Sequence, residues 1–151
     1  MYHALIRSQV RNTFAALSGG DYEPALASMA SRFEHIFSGD HPLGGVRHSK
    51  AAMRRWFERL FRLNKQLRFT IKHIAVSGGP WDTTAVVEWR DAALLADGST
   101  DYVNDGVHVV RLRWGKVVSL HAYLDTEHFA DACRRMAAAG IAEAAAERIE
   151  D

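Results

Sequence analysis

A few polar side chains in this sequence have the chemistry needed to move a proton. They are His35, Asp91, Asn104 and His108, and each lies among apolar residues of a predicted strand. A neutral imidazole can accept a proton near pH 7, and a carboxyl group beside an apolar wall can have a raised pKa. The amide of Asn104 could orient a carbonyl or hydroxyl group. Hydrogen-bonded core histidines, a satisfied amide and a solvated aspartate are the structural alternatives.

Other residues with suitable chemistry give less specific patterns. Asp40 and His41 lie in a loop rich in turn formers, where both a catalytic pair and a simple turn are open interpretations. The eight histidines include no close helical ligand pair, and Cys133 is the only cysteine. We therefore expect no metal, no cofactor and no disulfide.

Length and composition are those of an ordinary globular protein. We expect one domain over residues 1–151, because 48% hydrophobic and 25% charged residues suit a packed core. A formal net charge of +1 provides no overall field to attract nucleic acid or an anionic membrane. Without a continuous apolar run near residue 1 we expect a cytoplasmic protein.

Hydrophobic periodicity predicts three helices in the first half of the chain. Ile6 to Leu17 has helical spacing and is followed by two glycines, and a short second helix carries Pro24 in its first turn. Ser49 is expected to cap a third helix. Its apolar stripe consists of Met53, Trp56, Phe57, Leu60 and Phe61.

Strand periodicity dominates from Leu67 onward. A short strand is predicted at 33–37, and four long antiparallel strands at 67–76, 81–91, 100–114 and 117–124, with a bulge at 73–76. A closing helix would begin at Asp125 or Thr126 and continue through Ile141. Long bent strands with helices on one side should enclose a tapered cavity.

Three stretches, together with this order of elements, resemble the nuclear transport factor 2-like superfamily, which includes SnoaL-like and ketosteroid-isomerase-like proteins. The stretches are 44–51, 102–104 and 115–126. The resemblance implies an α+β fold, a cystatin-like roll in which a cone-shaped, curved antiparallel sheet wraps around N-terminal helices and is followed by a C-terminal helix. It does not imply a reaction, since this fold hosts isomerases, dehydratases, epoxide hydrolases, cyclases and non-enzymes.

The resemblance also implies which side chains face the cavity. His35 takes the place where related isomerases carry a general-base carboxylate, so His35 is the leading catalytic candidate. Asp91, Asn104 and His108 would lie on inner walls beside it. The expected ligand-binding residues are Phe33, Phe37, Asp40, His41, Trp56, Phe57, Trp89, Leu120, Ala122 and Leu124. His121 and Tyr123 should face outward, where the sheet could form a homodimer.

Two departures from known enzymes narrow the chemistry. Trp89 and Ala122 stand where epoxide hydrolases of this fold have an arginine and a second carboxylate, so that reaction is not expected. The first helix reads Asn12-Thr13-Phe14 where steroid isomerases have an oxyanion-binding tyrosine. Steroid-isomerase chemistry would need a different donor.

Three functions stay open at this point. The first is a proton-transfer enzyme, an isomerase, cyclase or dehydratase acting on a small apolar carbonyl or polyketide-like compound with His35 as base. The second is a ligand-binding protein without chemistry, and the third is an association module that uses its outer sheet face. The expected partner is a small apolar organic molecule rather than nucleic acid or a membrane.

Overall fold

The computed structural model describes residues 1–151, and the predicted α+β class is confirmed. One curved six-stranded sheet packs against helices on its concave side and is followed by a C-terminal helix. In chain order the elements are α1 Tyr2–Ser18, α2 Glu23–Ser28, β1 Met29–Phe37, β2 Gly45–Arg47, α3 Lys50–Leu63, β3 Asn64–Gly79, β4 Asp82–Leu95, β5 Tyr102–Arg113, β6 Lys116–Leu124, α4 Thr126–Ala138 and a 3₁₀ turn Ala142–Ala145.

The strand order is β2-β1-β6-β5-β4-β3, and every neighbouring pair is antiparallel except one. β1 runs parallel to β6, with His35 opposite Leu120 and Phe37 opposite Ala122. The four long strands are antiparallel as predicted, and β1 is the one strand that departs from this pattern. No hairpin joins β1 and β6, so turn chemistry does not set their relative direction. The sequence analysis also missed the three-residue strand β2.

Bulges bend the sheet where the alternation of side chains slips. The pairing of β3 with β4 shifts register between Ile71 and His73, which confirms the predicted bulge. A second shift lies between Lys65 and Arg68, next to Gln66 with a φ of 53°. Bulges increase the local twist of a strand, so β3 can curve around the helices.

The helices bury the apolar faces that the sequence predicts. Ser49 caps α3 by accepting from the amide of Ala52, and Trp56 and Phe57 lie buried against the sheet. α4 ends at Ala138 rather than continuing through Ile141, because Gly140 adopts a left-handed conformation with a φ of 96°.

The outer face of the sheet carries exposed aromatic and aliphatic groups. Val103 and Tyr123 are exposed, and Tyr123 stacks on His121. Both β6 residues point away from the concave side, but a homodimer through this face stays a prediction. None of the helices is both long and apolar enough to cross a membrane.

The cap of the terminal helix gives a direct test of local stability. The side chain of Asp125 accepts from the amide of His128 at 3.0 Å. We expect Asp125→Ala to lower the free energy of unfolding by about 1 kcal/mol, measured by urea denaturation. The control is Asp131→Ala in the same helix, where only long, exposed ion pairs are lost. Equal effects of the two changes would contradict the capping role.

Candidate functional site

A cavity of about 460 Å³ lies between the concave face of the sheet and helices α1 to α3. Its 28 lining residues include 19 hydrophobic ones, and its volume is in the range of small-molecule sites. Gln9 and Asn12 of α1, Pro24 and Ala27 of α2 and Gly115 are exposed members of the lining. The cavity therefore opens between the first two helices and the β5–β6 turn.

The structure brings together eight of the fourteen residues expected in the site. The cavity is lined by His35, Phe37, Trp56, Phe57, Trp89, Asp91, His108 and Leu120. Six others lie outside the lining, namely Phe33, Asp40, His41, Asn104, Ala122 and Leu124. The catalytic or binding role of each residue stays a prediction.

Asp40 and His41 belong to the loop and not to the cavity wall. The Asp40 side chain is fully exposed and pairs with Arg148 at 2.9 Å. The His41 ring is buried edge-on against Phe37 and Phe129 and is bonded to the carbonyl of Ser38. Burial lowers the pKa of His41 to about 4, so the ring is a neutral packing group that holds the loop closed.

Asn104 has a structural task outside the cavity. Its amide nitrogen donates to the hydroxyl of Tyr102 and to the carbonyl of Asp125, so it ties β5 to the start of α4. Its backbone amide donates to a carboxyl oxygen of Asp91 at 3.1 Å. Asn104 therefore acts on the site only by holding Asp91.

The remaining three residues outside the lining are apolar. Phe33 and Ala122 are buried in the core, and Leu124 is partly buried against it. The resemblance assigned them to the inner face, but they pack in or against the hydrophobic core and do not line the cavity.

His35 is held from behind by a buried arginine that the sequence analysis missed. The Nε of Arg47 donates to Nδ1 of His35 at 3.0 Å, and its other nitrogens donate to the carbonyls of Gly44, Gly45 and Ile149. Burial, followed by the nearby charge of Arg47, lowers the pKa of His35 well below its usual range. The imidazole is therefore neutral at pH 7. No periodicity in the sequence marks an arginine in so short a strand as buried.

His108 has an equivalent partner on the neighbouring strand. The indole Nε1 of Trp89 donates to Nδ1 of His108 at 2.7 Å, and the ring of Phe14 packs edge-on against the imidazole. Burial lowers the pKa of His108 to about 4. Trp89 can reach across β5 because its register partner is Gly106, where a Cβ would lie 2.4 Å from the indole ring. Any larger residue at position 106 would displace this tryptophan.

Asp91 is the one carboxyl group in the cavity wall. It is 8% exposed, forms no salt bridge and accepts a backbone hydrogen bond from Asn104. Burial raises the pKa of Asp91 to about 7, against the opposing effect of the Asn104 amide. At neutral pH this carboxyl group is therefore divided between its acid and base forms.

Sheet register gives the spacing of the polar groups. His35 pairs with Leu120 and His108 pairs with Ala122, so the two histidines occupy neighbouring rows of the sheet. Asp91 lies four residues along β4 from Val87, the register partner of His108. Four strand residues span roughly 13 Å. The cavity therefore has a histidine region and a separate carboxyl region.

The buried carboxyl group should make stability depend on pH. Because folding raises its pKa, Asp91 favours the folded state fully when protonated below about pH 4, and that contribution is lost as pH rises through about 7. We expect Asp91→Asn to raise the free energy of unfolding by about 4 kcal/mol at pH 8 and to change it little at pH 4. Urea denaturation at the two pH values measures the difference. A pH-independent effect would contradict the raised pKa.

Comparison with known proteins places this geometry in a family. The model of the SnoaL-like domain matches residues 10–120. No curated protein matches the chain.

Solved structures share the fold. A nuclear transport factor 2-like protein from Burkholderia xenovorans is 24% identical, with a TM-score of 0.60, over 83% of this chain and 92% of that one. TerC, co-crystallised with polyporic acid, is 19% identical, with a TM-score of 0.65, over 82% and 94%. A candidate SnoaL-like polyketide cyclase from Jannaschia is 15% identical, with a TM-score of 0.60, over 78% and 83%. The family model covers most of the chain, and the chain belongs to the SnoaL-like domain family.

Proposed function

We propose that this protein is a proton-transfer enzyme that needs no cofactor and acts on an apolar carbonyl or polyketide-like compound. The observation that carries the proposal is Asp91, a buried carboxyl group without a cationic partner in the wall of an apolar cavity. A general acid–base group is most effective when its pKa lies near the working pH, and burial brings the pKa of Asp91 to about 7.

Asp91 is better supported as the base than His35. The Nδ1 lone pair of His35 already accepts from Arg47, and the pKa of the ring is lowered by burial. Asp91 keeps one carboxyl oxygen without a protein hydrogen-bond donor. The carboxylate can therefore take a proton without first breaking a structural bond.

The reaction would begin with removal of a proton from a carbon that is acidified by a conjugated carbonyl group. The carboxylate of Asp91 forms the new O–H bond, and the electron pair of the broken C–H bond moves through the conjugated system to the carbonyl oxygen. The protonated Asp91 then returns the proton. Return to another carbon gives an isomerase. In a cyclase the enolate carbon would instead attack a second carbonyl carbon of the substrate, forming a C–C bond, and the alkoxide oxygen would take the proton from Asp91. Return to a departing hydroxyl group, which leaves as water while the electron pair re-forms a C=C bond, gives a dehydratase.

The shape of the cavity favours an extended substrate. By strand register, the backbone positions of Asp91 and His108 lie roughly 13 Å apart along the sheet, so a molecule that contacts both side chains would be extended. Conjugated polycyclic and polyketide-like compounds have this length and an apolar surface that suits 19 hydrophobic lining residues. The polyporic acid crystallised with TerC and the name of the Jannaschia protein support the same class of ligand.

Hydrogen exchange tests the proposal before the natural substrate is known. We expect the protein to catalyse deuterium uptake from D₂O into carbons next to the carbonyl group of 2-tetralone or of larger polycyclic enones, followed by mass spectrometry. Asp91→Asn should lower the rate by at least about 100-fold while the ketone still binds. The pH dependence should follow ionisation of a group with a pKa of about 7.

The matched control is Asp82→Asn, the same chemical change on the same strand at an exposed ion pair with Arg111. It should exchange deuterium like the unchanged protein. Equal rates for Asp91→Asn and the unchanged protein would overturn the role of Asp91. Binding of ketones without any exchange would instead favour a ligand-binding protein, an alternative that the largely apolar lining also suits.

A further inference from the structure

We infer that Arg47 and Trp89 are positioning residues that fix the tautomers of His35 and His108, so that both imidazoles offer an N–H group to the cavity and require oxygen acceptors from the ligand. This inference rests on the proposed function and deepens it, because it defines the polar end of the substrate. The ligand class is an apolar molecule with carbonyl, enolate or phenolate oxygens, and ammonium groups, which can only donate, are disfavoured at this end.

Each of the two histidines has one hydrogen-bond donor behind its ring. Arginine and tryptophan side chains can donate hydrogen bonds but cannot accept them. Arg47 Nε lies 3.0 Å from Nδ1 of His35, and Trp89 Nε1 lies 2.7 Å from Nδ1 of His108. In both pairs the imidazole nitrogen must be the acceptor, so neither Nδ1 carries a proton.

The tautomer follows from the charge of the rings. Burial lowers the pKa of both histidines, so each ring is neutral at pH 7 and carries a single proton. With Nδ1 occupied as an acceptor, that proton must be on Nε2. Each histidine is then a donor at Nε2 and has no free lone pair there to act as a base.

Both Nε2 atoms face the cavity. His35 and His108 line it, and no protein group bonds to either Nε2. No buried side-chain nitrogen or oxygen lacks a partner, so the two Nε2 atoms must reach the open space of the cavity. A ligand group placed against either atom must be an acceptor.

The partners behind the rings strengthen these donors. The Arg47 guanidinium is buried and charged, and a hydrogen bond to Nδ1 polarises the imidazole so that its Nε2–H becomes a better donor. The indole of Trp89 acts in the same direction on His108. Charge that develops on a carbonyl oxygen during proton transfer would be stabilised by such preorganised donors.

Histidine ¹⁵N spectra test the tautomers without any substrate. We expect the unchanged protein at pH 7 to show both rings protonated on Nε2 only, with the signals identified by their loss in His35→Gln and His108→Gln. Trp89→Phe should convert His108 to a mixture of tautomers. The matched control is Trp81→Phe, the same chemical change at an exposed tryptophan that does not line the cavity.

A parallel pair tests His35. Arg47→Lys removes the Nε donor and should mix the tautomers of His35, whereas Arg59→Lys should not, because Arg59 bonds to the chain near Glu147 and contacts neither histidine. If Arg47→Lys does not fold, the comparison of Trp89→Phe with its control variant alone tests whether the donor fixes the tautomer. A proton on Nδ1 of either ring in the unchanged protein would overturn the inference.

Ligand preference tests the acceptor requirement. 2-Acetylnaphthalene and 2-isopropenylnaphthalene have nearly the same shape, but only the ketone can accept a hydrogen bond. The ratio of their dissociation constants should shift by about tenfold against the ketone in Trp89→Phe and stay unchanged in Trp81→Phe. An unchanged ratio in Trp89→Phe would contradict the inference.

Asp91→Asn separates the two proposals. This variant should lose deuterium exchange but keep the preference for the ketone and both Nε2 tautomers. If Asp91→Asn loses exchange but the unchanged protein shows mixed histidine tautomers, the proton-transfer proposal is supported and the histidine inference is overturned. If the unchanged protein shows both rings protonated on Nε2 but catalyses no exchange, the histidine inference is supported and the proton-transfer proposal is overturned.

Discussion

Asp91 is costly to keep charged in this fold, because its carboxyl group is buried at an apolar wall and forms no ion pair. A buried carboxylate that a protein keeps for structural reasons is usually paired with a cation or bonded to several donors. Asp91 has one backbone amide. Its neighbours on the sheet hold this group in place. Along β4, Trp89 lies between Asp91 and Val87, the register partner of His108. Asn104, the register partner of Asp91 on β5, donates to the carbonyl of Asp125, which lies between β6 and α4.

The curved sheet makes this arrangement possible. Bulges in β3 bend the sheet around α1 and α3, so inward side chains from five strands surround one open volume instead of closing on each other. This arrangement also requires glycine at position 106, because only a residue without a Cβ lets the Trp89 indole reach His108. Arg47 has the corresponding role behind His35, where a short edge strand and the chain near Ile149 enclose its guanidinium.

Much of the fold could be predicted from the sequence, because periodicity reports burial directly. The stripe on α3, the change to period two at Leu67 and the bulge near His73 all lie where side-chain patterns placed them. The direction of β1 could not be predicted, since a long connection carries no local signal of orientation. The end of α4 was extended too far because Ile141 continued the apolar pattern past the stop at Gly140.

The residues of the candidate site could be predicted only in part from the sequence. Parity and resemblance placed His35, Asp91 and His108 on inner walls, and all three line the cavity. The partners that decide their chemistry could not be predicted. Arg47 lies in a loop-like stretch, and the bond from Trp89 to His108 depends on the absence of a side chain at residue 106. Asp40 and His41 formed a plausible pair in the sequence, but the loop turns one outward and buries the other.

Burial, and not a charged partner, sets the pKa of the Asp91 carboxyl group. The most direct measurement is a ¹³C NMR titration of that carboxyl carbon, identified by its loss in Asp91→Asn. We predict a midpoint near pH 7. A midpoint below pH 5, typical of a solvated aspartate, would contradict the account.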